Sequence, residues 1–204
     1  MVRAPALAAA SWELEGRLGG AWNAGLPIVI QQQGYENLRF TAELRTRGLD
    51  PPLYYGGRIT AWQSGRGWAI DLVHHKLHLE EPPPEVRSFA ISHGYNLLTL
   101  QRLFARDRWR YGAGLGAVVA HPESEVRGLV FEETQGLFRD GYYVAGVTAA
   151  GLAGHSLAIG SRFLVAAEAR LTWSSARVPI AQGSARVPNL ALHGTVGLTW
   201  NASR

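Results

Sequence analysis

Residues 12–23 read WELEGRLGGAWN, and the fold turns on how that alternation is taken. Even positions carry Trp12, Leu14, Gly16, Leu18, Gly20 and Trp22, while odd positions carry Glu13, Glu15, Arg17, Gly19, Ala21 and Asn23. A period of two sends successive side chains to opposite faces of a strand. One face is therefore apolar with an aromatic at each end, and the other is charged. Residues 189–200 repeat the pattern: Leu190, Leu192, Val196, Leu198 and Trp200 share one face, and Asn189, His193, Thr195 and Thr199 share the other. So does the stretch from Leu157, with Leu157, Ile159, Phe163, Val165 and Leu171 against Arg162, Glu168 and Arg170.

Alternation by itself fits a soluble sandwich, charged face outward, as well as a membrane barrel, charged face inward. Connection lengths separate the two. Short, turn-rich links fall at residues 64–67, 105–108 and 154–155, and long ones at 24–52, 80–87, 121–140 and 173–186. Strict alternation of short and long links is the asymmetry of an outer-membrane barrel, with short periplasmic turns and long extracellular loops. The reading is all-β: an eight-stranded antiparallel transmembrane β-barrel with strands near 11–23, 53–63, 67–79, 88–103, 108–120, 141–153, 156–172 and 187–200. Residues 38–44 also alternate, and are placed in the first external loop as a strand extension; a bilayer crossing there would make the strand count odd.

The composition agrees. In 204 residues there are 24 Gly, 7 Trp and 7 Tyr, an excess of turn formers and interfacial aromatics. No apolar run approaches the roughly 20 residues of a transmembrane helix, so any crossing is made by strands. There is no cysteine, which removes disulfides and thiolate metal sites. The net charge of +4 comes from dispersed arginines rather than a basic run, which argues against nucleic acid. It suits the phosphates of a lipopolysaccharide leaflet. Residues 1–10 read as a tail or signal remnant, with Ala8-Ala9-Ala10 like the small-residue end of an export signal. Residues 11–200 form one barrel domain, expected to be a monomer in the outer membrane of a Gram-negative bacterium.

A barrel of eight strands is just wide enough to be filled by side chains. Inward Glu13, Glu15, Arg17, Arg58, Asp71, Arg162, Glu168 and Arg170 are expected to neutralise one another as a plug. The histidines are less even. His74, His75 and His78 crowd one strand end, His93 lies in the next strand, and His121 follows the one after, beside Glu123. All fall toward the external end, where imidazoles and carboxylates gather a metal ion or trade protons. No Gly-x-Ser-x-Gly nucleophile is present, and GAGLG at 112–116 lacks the helix that a phosphate loop needs.

Four stretches together resemble the outer-membrane lipid A oxidase family: PPLYYGGRITAWQ at 51–63, WAIDLVHHK at 68–76, FAISHGYNLLTL at 89–100 and YGAGLGAVVAHPE at 111–123. The resemblance covers about the middle half of the chain. It implies oxygen-dependent conversion of the proximal glucosamine of lipid A to an aminogluconate, with release of peroxide. The matching polar positions are Asp71, His74, Lys76, His93, Asn96, His121 and Glu123, with Glu168 of VAAEARLTW as a further acid. From these, His74, Lys76, His93, Asn96 and Glu168 are the catalytic candidates. His93, His121, Glu123 and Asp71 are the candidate ligands of a divalent metal, the economical redox centre where no organic cofactor motif is visible. His74 shares parity with outward Ile70 and Leu72, so a bulge or an exit from the bilayer is expected near it. The lipid A deacylases carry His-x-Ser-Asn, and here His93 is followed by Gly94, Tyr95 and Asn96, without the serine. The competing reading is a non-enzymatic structural or partner-binding barrel, in which the histidines point apart.

Overall fold

The computed structural model describes residues 11–131, 136–137 and 139–202, so the expected tail at 1–10 lies outside the described residues. Every regular element among them is a strand: β1 Ser11–Asn23, β2 Leu26–Gln32, β3 Leu38–Arg45, β4 Tyr55–Gln63, β5 Arg66–Glu80, β6 Val86–Arg106, β7 Trp109–Ala120, β8 Glu123–Val126, β9 Leu129–Val130, β10 Tyr143–Ala158, β11 Phe163–Ile180 and β12 Gly183–Asn201. Followed neighbour to neighbour, β1, β4, β5, β6, β7, β10, β11 and β12 form an antiparallel ring. The seam is the pairing of β1 with β12, from Glu13 opposite Asn201 to Asn23 opposite Ala191. Closure leaves no unpaired edge in this ring, which is what a sheet surrounded by hydrocarbon requires.

The burial pattern is that of a water-soluble protein turned inside out. Leu14, Leu18, Ile59, Ile70, Leu100, Val147, Leu171, Leu192 and Val196 are exposed, and Leu115 reaches 71% exposure, whereas Asp71 is at 0% and Arg58 at 1%. Exposed Trp12, Trp68, Trp109 and Trp200 mark the end with the short turns; Trp22, Tyr55 and Trp173 mark the other. Each apolar side chain of this stripe gains about 1.5–3 kcal/mol on leaving water for lipid, so summed over the ring the belt holds the barrel in a bilayer. Tight turns close the first end. Ser64 and Gly65 both have positive φ (50° and 74°), as a two-residue hairpin turn needs.

Above the external girdle the ring changes partners. β1 ends at Asn23 and β4 begins only at Tyr55, and there β2 and β3 stand in their place. β2 pairs with β12 (Gln32 opposite Gly183) and β3 pairs with β5 (Leu44 opposite Leu79). In this storey the polarity reverts to that of a soluble protein, with Ile28, Ile30, Leu44, Leu77, Ile91, Val178 and Val187 buried in one apolar core. β8 and β9 extend it from β6.

Two expected connections are corrected. Residues 173–186 are not a loop: β11 and β12 run on, paired to Ile180 opposite Gly183, and turn through Ala181 and Gln182. The reversal of apolar residues from outside to inside disguised those strand ends as a break. Likewise β10 continues through Gly154 and His155 to Ala158, and the turn falls at 159–162. Residues 38–44 do lie in the first external connection, within β3, and cross nothing.

Candidate functional site

The β5–β6 ladder is regular up to His75 opposite Tyr95 and then resumes with Leu77 opposite Ile91. Two steps on β5 thus face four on β6, so Ser92, His93 and Gly94 are thrown out as a bulge, a device that re-aims side chains. Gly94 makes it possible: its φ is +130°, and a Cβ there would collide with the Asn96 side chain. The same bulge answers the parity of His74, which keeps its outward register opposite Asn96 while His75 points inward, fully buried.

The displaced His93 meets residues from the far end of β7. The His121 amide donates to the Gly94 carbonyl at 3.0 Å, and Glu123 opens β8 opposite Ala90. The His93 Nδ1–H donates to Glu123 Oε1 at 2.7 Å, His121 Nδ1 lies 3.8 Å from the same oxygen, and the Ser92 hydroxyl donates to it as well. The rings of His93 and His121 are 5.0 Å apart between centroids. Tyr142 packs edge-on against His121 at 4.9 Å, and its hydroxyl donates to the His93 carbonyl at 3.1 Å. Burial would raise the Glu123 carboxyl, but the hydrogen bonds from Ser92 and His93 outweigh it and hold the group below the usual carboxylate range.

One ligand atom from each of His93, His121 and Glu123 lies within 4.8 Å of the others. Bonds of about 2.1 Å place ligand atoms at most about 4.2 Å apart, so the set closes on an ion by a contraction of about half an ångström. Two imidazoles and one carboxylate are the donor set that suits a first-row divalent metal, iron in oxygenases included. Beside it, Tyr55 stacks on His74 at 4.7 Å, and His74 Nδ1 lies 2.8 Å from Asn96 Oδ1. Lys76 is turned aside, its ammonium donating to the Asp50 carbonyl at 2.6 Å. Ser92 approaches the same His93 nitrogen that Glu123 occupies, at 3.1 Å. A hydrolytic relay needs the hydroxyl and the acid on opposite ring nitrogens, so this trio is not one.

Asp71 and Glu168, expected as a metal ligand and a catalytic acid, are not brought to this cluster. Asp71 sits on the inward face of β5, three residues below His74, roughly 10 Å along the strand. Its oxygens accept from Arg170 at 2.6 Å, Arg58 at 2.9 Å and Arg17, which ties the carboxylate into the charged plug. Glu168 is held by Arg58 at 2.7 Å and Arg170 at 2.9 Å. Glu15 receives Arg110 at 2.5 Å and Arg17 at 3.2 Å. Arg162, expected in this plug, is exposed in the turn after β10, and Arg110 takes the inward position instead. Glu13, 3.7 Å from Arg110, is the fourth acid, so four acids and four arginines balance inside the barrel.

No family model matches the chain. No curated protein does either. Three solved structures align along almost its whole length. They are Neisserial surface protein A, at 9% identity over 94% of this chain and 98% of that one with a TM-score of 0.46; the outer membrane protein AlkL in lipid bilayers, at 14% identity over 98% and 94% with 0.49; and Ail, the attachment invasion locus protein of Yersinia pestis, at 11% identity over 94% and 97% with 0.41. Identities this low speak to architecture alone, and the barrel here rests on its own strand pairings. Ser92, Tyr55 and Tyr142 join the site without having been singled out in the sequence. Their signal was faint: Ser92 and Gly94 flank His93 in a stretch that breaks the strand period, while Tyr142 stands at the very start of the segment read as a strand from 141.

Proposed function

We propose that this barrel lies in the outer membrane of a Gram-negative bacterium and oxidises the sugar headgroup of lipid A with molecular oxygen. The observation that supports the reading best is the convergence of His93 and His121 on Glu123 at the external rim, just above the lipid-facing girdle. A headgroup of the outer leaflet reaches that level while its acyl chains remain against the apolar belt. An inert or purely partner-binding barrel would leave the histidines pointing apart, and a pore would need an open lumen rather than the charged plug beneath an apolar core.

His93, His121 and Glu123 would hold the metal, which supplies the redox chemistry with oxygen that side chains lack. The chain's own residues do the rest. Asn96 Oδ1 accepts from His74 Nδ1–H, which leaves the buried, unpartnered Nε2 as the base that would take the anomeric hydroxyl proton once the sugar displaces its neighbours at the rim. Tyr55 stacks on the His74 ring and keeps it at that station. Two electrons and the C1 hydrogen leave the sugar, oxygen accepts them as hydrogen peroxide, and the resulting lactone opens with water to the aminogluconate. Lys76 serves by pinning the 46–54 segment beside the site. The test is incubation of the folded barrel in detergent with lipid A whose anomeric hydroxyl is free of phosphate, followed by mass spectrometry: the expected product carries one added oxygen atom and vanishes under chelation. Folded barrel with unchanged lipid A overturns the reading.

A further inference from the structure

The eight interior charges cancel, so the chain's net charge of +4 is carried elsewhere, and part of it is gathered in one place. On the outer surface of the external storey Arg177 of β11 lies directly opposite Arg186 of β12. Arg186 is opposite Val29 of β2, and Val29 is opposite Arg39 of β3. All three arginines are exposed, in a row across four strands. Like charges facing one another across a ladder destabilise a sheet, so this pair is a cost the fold carries without a structural return. None of the three has a carboxylate ion pair among the described residues. Arg177 is steered by neutral acceptors instead, donating to Ser184 Oγ at 3.0 Å and to the Gln31 amide oxygen. The one acid on the outward faces of these four strands is Glu43, four residues along β3 from Arg39.

The row's height identifies what it meets. Arg177 lies four residues beyond the girdle residue Trp173 on the same face of β11, and Arg186 lies four before Leu190 on β12. Four strand residues rise about 13 Å, or roughly 10 Å once tilted, which is the headgroup layer. Guanidinium groups bind phosphate in a fork geometry. We infer that the Arg177, Arg186 and Arg39 row is a docking surface for the phosphoryl groups of a lipid in the leaflet that the girdle faces. It lies on different strands from the His93 cluster, so it anchors the barrel among phosphorylated lipids whether or not that cluster oxidises one.

The experiment is native mass spectrometry of the full chain in detergent micelles doped with bis-phosphorylated lipid A or with the same lipid dephosphorylated. The wild type is expected to retain the phosphorylated form about tenfold better, the size of one charge-assisted pair. Arg177→Gln with Arg186→Gln should erase that preference, the paired Lys substitutions should keep part of it, and Arg106→Gln with Arg108→Gln at the opposite end should leave it intact. A preference surviving the Gln pair, or lost equally at the opposite end, overturns the inference. Displacement of the lipid by millimolar inorganic phosphate would reduce the row to a bare anion site, and a lipid-free dimer held by this face would make the occupant a second copy; either refutes lipid docking. Lipid A oxidation is read by a different mass change, so the two proposals fail separately.

Discussion

Among the described residues His93 and His121 are the histidine pair that converges on a carboxylate, so each is a direct test. Replacing either with Ala removes one of three ligands, and calorimetric titration with a divalent metal should show affinity falling by at least roughly a hundredfold, since even outer-shell partners are worth 10–100-fold. Asn96→Ala should spare metal binding and slow product formation, because the His74 tautomer is no longer fixed. Gly94→Ala acts on the backbone: at φ +130° a side chain costs about 1–3 kcal/mol and strikes Asn96, so the bulge flattens and product is lost while the barrel persists. At this scale the sequence was half legible. His93, His121 and Glu123 stood at the outer ends of two neighbouring segments, which is all that adjacency in a barrel requires. Asp71 and Glu168 were singled out because their residue type suits chemistry, whereas their parity puts them inside with the arginines. Ser92 and Tyr142 were hidden, since an interrupted ladder has no period to read.

The strands in the membrane were announced by their alternation, and the errors fell where alternation changed sign. β11 and β12 reverse the meaning of their two faces midway, from apolar-out to apolar-in, so residues 173–186 looked like an interruption instead of a continuation. The external storey is therefore expected to melt as its own unit. Ile30→Asp places an unpaired charge in its core at a cost of several kcal/mol. Limited proteolysis should then cut at the 181–182 turn while the membrane-embedded strands stay protected. Cleavage throughout the ring instead would mean that the two storeys fold as one.

Across the whole molecule the lumen is closed twice, by an ionic plug below and an apolar core above. Planar bilayers should accordingly show no conductance. Arg58 joins Glu15, Asp71 and Glu168, so Arg58→Met leaves three carboxylates short of a partner, and thermal unfolding in detergent should show a loss of about 3–5 kcal/mol. Salt should barely soften the wild type, because buried pairs are poorly screened. That the cylinder was legible at all follows from the lipid's demand for two faces of opposite character; that its upper part was not follows from leaving that solvent. The seam between β1 and β12 has a consequence for biogenesis. Its partners stand about as far apart in the chain as any two segments do, so no shorter nascent piece can close the cylinder. Whatever escorts the polypeptide to its membrane must keep it unstructured until the last strand has been delivered, and a chain cut before that strand should persist as an open, sticky sheet for quality-control proteases to clear.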